Sequence, residues 1–352
     1  MEDLPPPLRI LQLILTGFCL FLAALALFII VFSPMITSVP RVVLDDTLPA
    51  APPVDVSRSF RFQNDSVSVT LAVNSSVYAA SKKTYRSTFL LGNPRDLGTR
   101  YYQAMINDPS QDQIYRDLLV QFRQIRSEWN LTDDEYLELI SVYVQSIPYK
   151  DGGETPPKYP AELLVEGMGD CDDKSILIAG LLAREGYSVV LFKFGPESHM
   201  AMGIGSDAFP YKSTGYTYLE GMSLAYAGFP TAHLQIPLNS DPQVIMVSNG
   251  TKVYHSGNQT RYINNMSAIA GEKAGGLTSM LEGFPQSDHT GTKYLTILHE
   301  RDRFSAIRMY IRSHPYDRPG VYAYLQREMP GIPGNQDHCR DRDCASLNEW
   351  VL

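Results

Sequence analysis

The chain has 352 residues, of which 44% are hydrophobic and 19% charged, and its formal net charge is −8. This composition is typical of folded domains with a buried core and excludes a wholly disordered chain. The acidic excess argues against a nucleic-acid-binding protein, because such proteins gain most of their affinity from cationic contacts with phosphate. Four cysteines are too few for a disulfide scaffold.

The N-terminal segment predicts a membrane anchor. Residues 10–32 form an uncharged, largely apolar run, and a helix of that length, at about 1.5 Å per residue, can cross a hydrocarbon core of roughly 30 Å. A cleaved signal peptide would have a shorter apolar stretch followed by small residues. We therefore expect an uncleaved transmembrane helix at 10–32 after a short cytoplasmic N-terminus at 1–9.

Glycosylation motifs indicate the side of the membrane on which the rest of the chain lies. The 12 Asn and 47 Ser or Thr among 352 residues would give about 1.6 Asn-x-Ser/Thr triplets by chance, yet six are present. Such triplets accept glycans on translocated surfaces. The excess predicts a single-pass protein of the cell membrane with its bulk outside the cytoplasm. The six acceptors are Asn64, Asn74, Asn130, Asn249, Asn258 and Asn265.

The first half of the predicted ectodomain begins with a stalk. Residues 33–57 are rich in Pro and small residues, which favours an extended connection. Period-two alternation in the sequences SFRF and VSVTLAV predicts a small β-rich region at 58–109. An amphipathic helix is expected at 111–126, and Thr132 with Glu135 forms a capping-box pair that starts another, ending before Pro148.

The C-terminal part, 226–352, is predicted to be an α/β extension of unknown role. Residues 243–254 have the pattern of a hairpin that turns at Asn249-Gly250, Lys293–His299 that of a strand, and Arg303–Arg312 that of a helix. Near the end of the sequence, we expect Cys339 and Cys344 either to form a small disulfide or to remain free thiols. Together with His338 they are too few ligands for a zinc site.

Cys171 is the first candidate for chemistry. It follows Asp170 and precedes a run whose apolar residues share one helical face, so it lies in the first turn of a buried helix. Helix N-terminal amides stabilise a thiolate and lower its pKa. The carboxylates of Asp172 and Asp173 act in the opposite direction, so we expect a cationic partner for the cysteine.

His199 and Glu220 can supply that partner. Residues 198–204 alternate as a strand with His199 beside Ala201 and Gly203, while Tyr218 and Glu220 share one face of the next strand. If the two strands pair, Glu220 reaches the imidazole and stabilises its cationic form. A nucleophile on a helix start, a base on one strand and an orienting acid on the next is the arrangement used for acyl transfer through cysteine.

The order GMGDCDDKSILIAGLL, GYSVVLF, HMAMG and YTYLE resembles the transglutaminase-like superfamily, most closely its archaeal membrane-anchored members. The resemblance covers roughly residues 110–225. It implies an α+β fold with a papain-like core, a helix-borne cysteine and an antiparallel sheet. It also implies Cys171 as nucleophile, His199 as general base and then acid, and Glu220 as the orienting acid, with neither cofactor nor metal.

The sequence departs from the eukaryotic cross-linking enzymes of this family at two positions. Glu220 stands where they use Asp, and Asp172 replaces their aromatic residue next to the nucleophile. We therefore expect a protein or peptide substrate and favour hydrolysis of peptide or glutamine amide bonds over amine transfer. The alternative is a non-catalytic cell-surface binding or adhesion module that keeps the fold.

An oxyanion hole and three further acidic residues complete the expectations. The backbone amide of Cys171 is one candidate oxyanion donor, and Gln145, Tyr149 or Tyr159 could supply the second. Asp170, Asp172 and Asp173 are expected to cap the helix rather than bind calcium.

Overall fold

The computed structural model describes residues 6–36, 39–44, 51–86, 94–153, 155–229 and 237–330. It is mixed α+β with antiparallel sheets, as predicted. The helices of the described residues are α1 (Pro6–Ile36), α2 (Ser75–Lys83), α3 (Pro94–Ile106), α4 (Asp112–Trp129), α5 (Asp133–Gln145), α6 (Pro160–Glu166), α7 (Cys171–Arg184), α8 (Gly257–Glu282), α9 (Thr292–Ser313) and α10 (Arg318–Glu328). The strands are β1 (Val54–Phe62), β2 (Asp65–Val73), β3 (Ser188–Phe194), β4 (His199–Gly205), β5 (Tyr216–Leu219) and β6 (Gln243–Asn249).

A four-stranded antiparallel sheet in the order β5-β4-β3-β6 forms the centre of the fold. Its two faces belong to different clusters, because neighbouring residues of a strand point to opposite sides. Leu191 and Met202 lie on the face that belongs to the main core with α7. Phe192 and Phe194 pack on the other face with Tyr218 and Tyr211. Both faces are covered, which explains the nearly continuous apolar sequence of β3.

Helix α7 lies against this sheet and carries Cys171 as its first residue. The Asp170 side chain accepts hydrogen bonds from the amides of Asp172 and Asp173, and the Asp173 side chain accepts one from the Asp170 amide. This reciprocal cap fixes where the helix begins. Gly186, with φ of +84°, follows the helix end, a position that favours glycine.

The N-terminal half differs from the predicted division into stalk and β-rich region. Strand β1 begins at Val54, within the predicted stalk, and the described residues after β2 form helices α2 and α3 rather than strands. The Asn74 side chain caps α2 by accepting hydrogen bonds from two backbone amides. A two-stranded hairpin is too small to be stable by itself, and Phe60 and Phe62 accordingly pack into the main core.

Two predictions for the C-terminal part are wrong. Residues 243–249 do not form a hairpin with the residues after them, because β6 pairs with β3 at the edge of the central sheet. Lys293–His299 is not a strand but lies inside α9, which also includes the predicted helix at Arg303–Arg312. The segment is continuous with the part of α9 that is buried through Ile307 and Ile311, so its aromatic and β-branched residues do not decide its state. Cys339, Cys344 and His338 lie outside the described residues.

Helix α1 covers the predicted anchor at 10–32. Its side chains are described from residue 14 to 29, and the large apolar ones among them, including Phe18 and Leu20, are exposed. Within the portions of the chain that the structure describes, no helix has both the length and the apolar character needed to cross a membrane. The anchor therefore stays a prediction.

Candidate active site

The structure places the three predicted site residues at the ends of three neighbouring elements. Cys171 opens α7, His199 opens β4, and Glu220 directly follows β5. Strands β4 and β5 pair antiparallel, as predicted, with Gly203 opposite Tyr218. All three site residues are buried, with 8% of Cys171, 5% of His199 and none of Glu220 exposed.

Tyr218 links the histidine and the carboxylate. Its hydroxyl lies 3.1 Å from His199 Nε2 and donates to Glu220 Oε2 at 2.7 Å, whereas His199 Nε2 lies 3.5 Å from the same carboxylate oxygen. The single phenolic proton goes to the carboxylate, so the phenolic oxygen accepts from Nε2–H. The network thus assigns the histidine proton to Nε2 and leaves Nδ1 as the basic nitrogen. Nδ1 makes no hydrogen bond with any residue that the structure describes.

The Glu220 carboxylate is held from both sides. Its Oε1 accepts hydrogen bonds from the amides of Gly221 at 2.8 Å and Met222 at 2.9 Å, while Oε2 faces Tyr218 and His199. Burial acts to raise the pKa of Glu220, but His199, the Met222 amide and Tyr218 outweigh it and lower that pKa below its ordinary range. The carboxylate is therefore ionised and fixed in orientation.

Cys171 has an environment that keeps its thiol protonated. Its Sγ donates to Asp172 Oδ1 at 3.4 Å. Burial, followed by the negative charge of Asp172, raises the pKa of the thiol well above its ordinary value, and a backbone hydrogen bond from Met200 only partly opposes this. The predicted effect of the neighbouring carboxylates is present, and burial, which that expectation did not include, adds to it.

Cys171 and His199 line the same cleft, which has a volume of about 290 Å³. Met200, whose backbone contacts the thiol, is the neighbour of His199 in β4. The thiol itself donates to Asp172, and among the described residues it makes no hydrogen bond with the imidazole. The cleft has aromatic walls from Tyr102, Tyr149 and Phe194. Its charged lining consists of Asp151, Asp170, Asp172 and Lys193, so carboxylates outnumber cations.

The three candidates for the second oxyanion donor occupy different places. The Gln145 amide is committed to the backbone carbonyls of Glu220 and Ala225. Tyr159 is fully buried at the start of α6 and does not line the cleft. Tyr149 does line it, is 44% exposed, and is bridged through its backbone to Gly169, two residues before the cysteine. The structure therefore leaves Tyr149 as the remaining side-chain candidate of the three.

Two residues of the site were not assigned a role from the sequence. Tyr218 could have been found from its spacing, because it precedes Glu220 by two residues on a strand and so shares its face. Tyr102, whose hydroxyl donates to Asp172 Oδ2 at 3.4 Å, comes from α3 and gives no comparable local pattern.

Of the acidic residues around Cys171, Asp170 and Asp173 cap the helix, as expected, whereas Asp172 makes no capping hydrogen bond among the described residues. Ligand atoms of Asp170, Cys171 and Asp172 lie within 4.8 Å of one another, a spacing that a metal ion could use. However, Asp170 Oδ1 accepts two backbone amides, while the Asp172 oxygens face the thiol and Tyr102. These groups are already hydrogen-bonded within the fold, and we assign no metal role to them.

Comparisons with protein-family models, with curated proteins and with solved structures give no match to this chain. The resemblance to transglutaminase-like proteins therefore rests on the motifs alone.

Replacing Tyr218 with Phe should change how the proton of His199 is shared between its two ring nitrogens. Without the hydroxyl, Nε2 loses its nearest acceptor, and we expect His199 to change from one tautomer to a mixture. The measurement is the ¹⁵N chemical shifts of the imidazole by NMR. Tyr216→Phe, on the same strand, is the control and should leave the shifts unchanged. Because Glu220 Oε2 also lies 3.5 Å from Nε2 and can accept its hydrogen, the test is repeated in Tyr218→Phe combined with Glu220→Gln, and an Nδ1–H tautomer in the wild type would contradict the assignment.

Replacing Asp172 with Asn should make Cys171 more reactive. Loss of the negative charge lowers the thiol pKa, so at a fixed mildly alkaline pH the thiolate fraction and the alkylation rate should increase, by about tenfold for each unit of pKa change. The rate is followed by mass spectrometry of the Cys171 peptide during iodoacetamide treatment. Asp151→Asn, which removes a cleft carboxylate farther along the chain, should have a smaller effect. Equal or slower alkylation of Asp172→Asn would show that this carboxylate does not suppress the thiolate.

Proposed function

We propose that this chain is a transglutaminase-like cysteine enzyme with a papain-like core, acting on peptide or glutamine amide bonds. The observation that carries the proposal is the meeting, in one cleft, of a helix-start cysteine and a histidine backed by a tyrosine and a carboxylate. The order of the elements supports it, since a nucleophile helix is followed by antiparallel strands that carry the base and the acid.

The proposed reaction begins with attack of Cys171 on an amide carbonyl. His199 Nδ1 takes the thiol proton as Sγ forms the bond to carbon, and Glu220 with Tyr218 stabilises the imidazolium through Nε2. The developing oxyanion is held by the backbone amide of Cys171 and the Tyr149 hydroxyl. His199 then returns the proton to the departing nitrogen, which leaves as the amine, and a thioester remains on Cys171.

The second half of the reaction releases the acyl group. Water, deprotonated by His199, attacks the thioester and gives the carboxylic acid and the free thiol. A primary amine in place of water would give transamidation. We favour hydrolysis. Because the pKa of Cys171 is raised, the proposed mechanism requires the histidine to remove the thiol proton during attack and does not start from a stored thiolate.

The proposal includes a position at the cell membrane, with the bulk of the chain outside the cytoplasm. The exposed apolar side chains of α1 support an anchor. Exposure of five glycosylation acceptors, namely Asn64, Asn74, Asn130, Asn249 and Asn258, supports an extracytoplasmic location, while Asn265 is half-buried.

Cell fractionation tests this location. We expect the full chain to sediment with membranes and to be released by detergent but not by salt, because the attachment would be hydrophobic. Removing residues 6–36 should release the protein in soluble form. Recovery of the full chain in the soluble fraction would contradict the anchor.

Substitution of the triad tests the chemistry. Cys171→Ala and His199→Ala should each reduce amine release from peptide or glutamine substrates by about 10³-fold or more, because either change removes the nucleophilic pathway. Cys19→Ser is the matched cysteine control and should retain activity. Substrates without acidic residues near the amide are preferred, since three carboxylates line the cleft. Retained activity in Cys171→Ala would refute the proposal.

A non-catalytic surface-binding module is the second candidate, and the raised pKa of Cys171 favours it. This function predicts that the wild-type chain and Cys171→Ala bind the same peptide with equal affinity. It also predicts that the wild type forms no thioester. A trapped acyl-enzyme on Cys171 would exclude it.

A further inference from the structure

Lys174 is a buried cation that the proposed reaction does not use. It lies one turn after Cys171 on α7, and none of its surface is exposed. Burial lowers the pKa of Lys174 to about 7, and the Glu220 carboxylate opposes that shift. A buried ammonium is unfavourable unless its N–H donors have hydrogen-bond acceptors. The acceptors of Lys174 therefore indicate its structural role.

The Lys174 ammonium has three hydrogen-bond partners, all of them backbone carbonyls. Nζ donates to the carbonyl oxygens of Gln145 at 3.1 Å, Ile147 at 2.7 Å and Met222 at 2.7 Å. The three donors of an ammonium match these three acceptors. Two acceptors lie at the end of α5 and just beyond it, and the third lies in the loop after β5. Lys174 thus joins three segments at one point.

The Gln145 side chain strengthens the same junction. Its Nε2 donates to the carbonyls of Glu220 at 2.8 Å and Ala225 at 3.2 Å, and its Oε1 accepts from the Ala225 amide at 3.3 Å. The loop at 220–225 is therefore tied to α5 by Gln145 and to α7 by Lys174.

Met222 connects this junction to the acid. Its carbonyl is held by Lys174, and its amide donates to Glu220 Oε1 at 2.9 Å. A displacement of Met222 would therefore move a donor that fixes the carboxylate next to His199. We propose that Lys174 is a positioning residue, whose ammonium ties the nucleophile helix to the loop that carries Glu220 and so holds this carboxylate against His199. The inference rests on the proposed function, because it assigns the acid a role in the reaction.

Hydrogen exchange of the full chain tests the junction without reference to activity. Lys174→Met keeps the aliphatic side chain and removes the donors, so amides in the loop at 220–226 should lose protection by about tenfold or more. Arg86→Met is the control, because Arg86 is a half-buried cation that donates to the carbonyls of Ser81 and Pro157 and pairs with Glu162, away from this loop. Unchanged exchange of the loop in Lys174→Met would overturn the proposal.

Kinetics test whether the junction acts through the acid. Lys174→Met should lower kcat by about tenfold or more, as expected for a misplaced catalytic group, and change KM by less than about twofold. On a Glu220→Gln background the same substitution should lower kcat by less than about twofold, because the group it positions is already removed. A loss that is equal on both backgrounds would show a general structural role and overturn the proposal.

A milder substitution keeps the proposal testable if Lys174→Met does not fold. Lys174→Gln retains a donor for a carbonyl and should lie between the wild type and Lys174→Met in loop exchange, and equality with the wild type would overturn the proposal. If the wild type shows no Cys171-dependent turnover, the proposed function fails, while the exchange experiment still decides whether Lys174 holds the loop.

Discussion

The burial of helix α7 against the central sheet is the constraint on which the site depends. This helix is packed along nearly its whole length, so its first residue cannot shift without disturbing the core. The Asp170–Asp173 cap then fixes the residue at which the helix begins. Pairing of β4 with β5 places His199 and Glu220 at the same edge of the fold. The position of the thiol is thus set by apolar packing, and that of its partners by strand register.

Two buried groups of the site, Glu220 and Cys171, differ in protonation state. Glu220 receives hydrogen bonds on both oxygens and is ionised in spite of its burial, whereas Cys171 is buried beside carboxylates and keeps its proton. Tyr218 lies between the acid and the imidazole and determines which ring nitrogen carries hydrogen. In the proposed reaction this difference requires the histidine to act as a general base, because the thiol still carries its proton when the attack begins.

Local patterns in the sequence predicted those features of the fold and the site that are encoded within a few neighbouring residues. The capping box at Thr132, the helix start at Cys171 and the alternation around His199 are encoded within a few residues, and the structure contains all three. The partner of β6 and the helical state of Lys293–His299 depend on residues far along the chain, so the local pattern misled. The direction of the pKa shift at Cys171 also could not be predicted from the sequence, because it depends on how deeply the thiol is buried.

The position of β6 has a consequence for how the chain can be divided. Although β6 follows the motif-bearing segment, it completes the central sheet by covering the free side of β3. A fragment that ended near residue 225 would leave the backbone amides and carbonyls of β3 that face β6 without partners, and an open strand edge invites pairing with other molecules. The motif-bearing segment and β6 therefore belong to one sheet, and a fragment that keeps this sheet intact extends at least through Asn249.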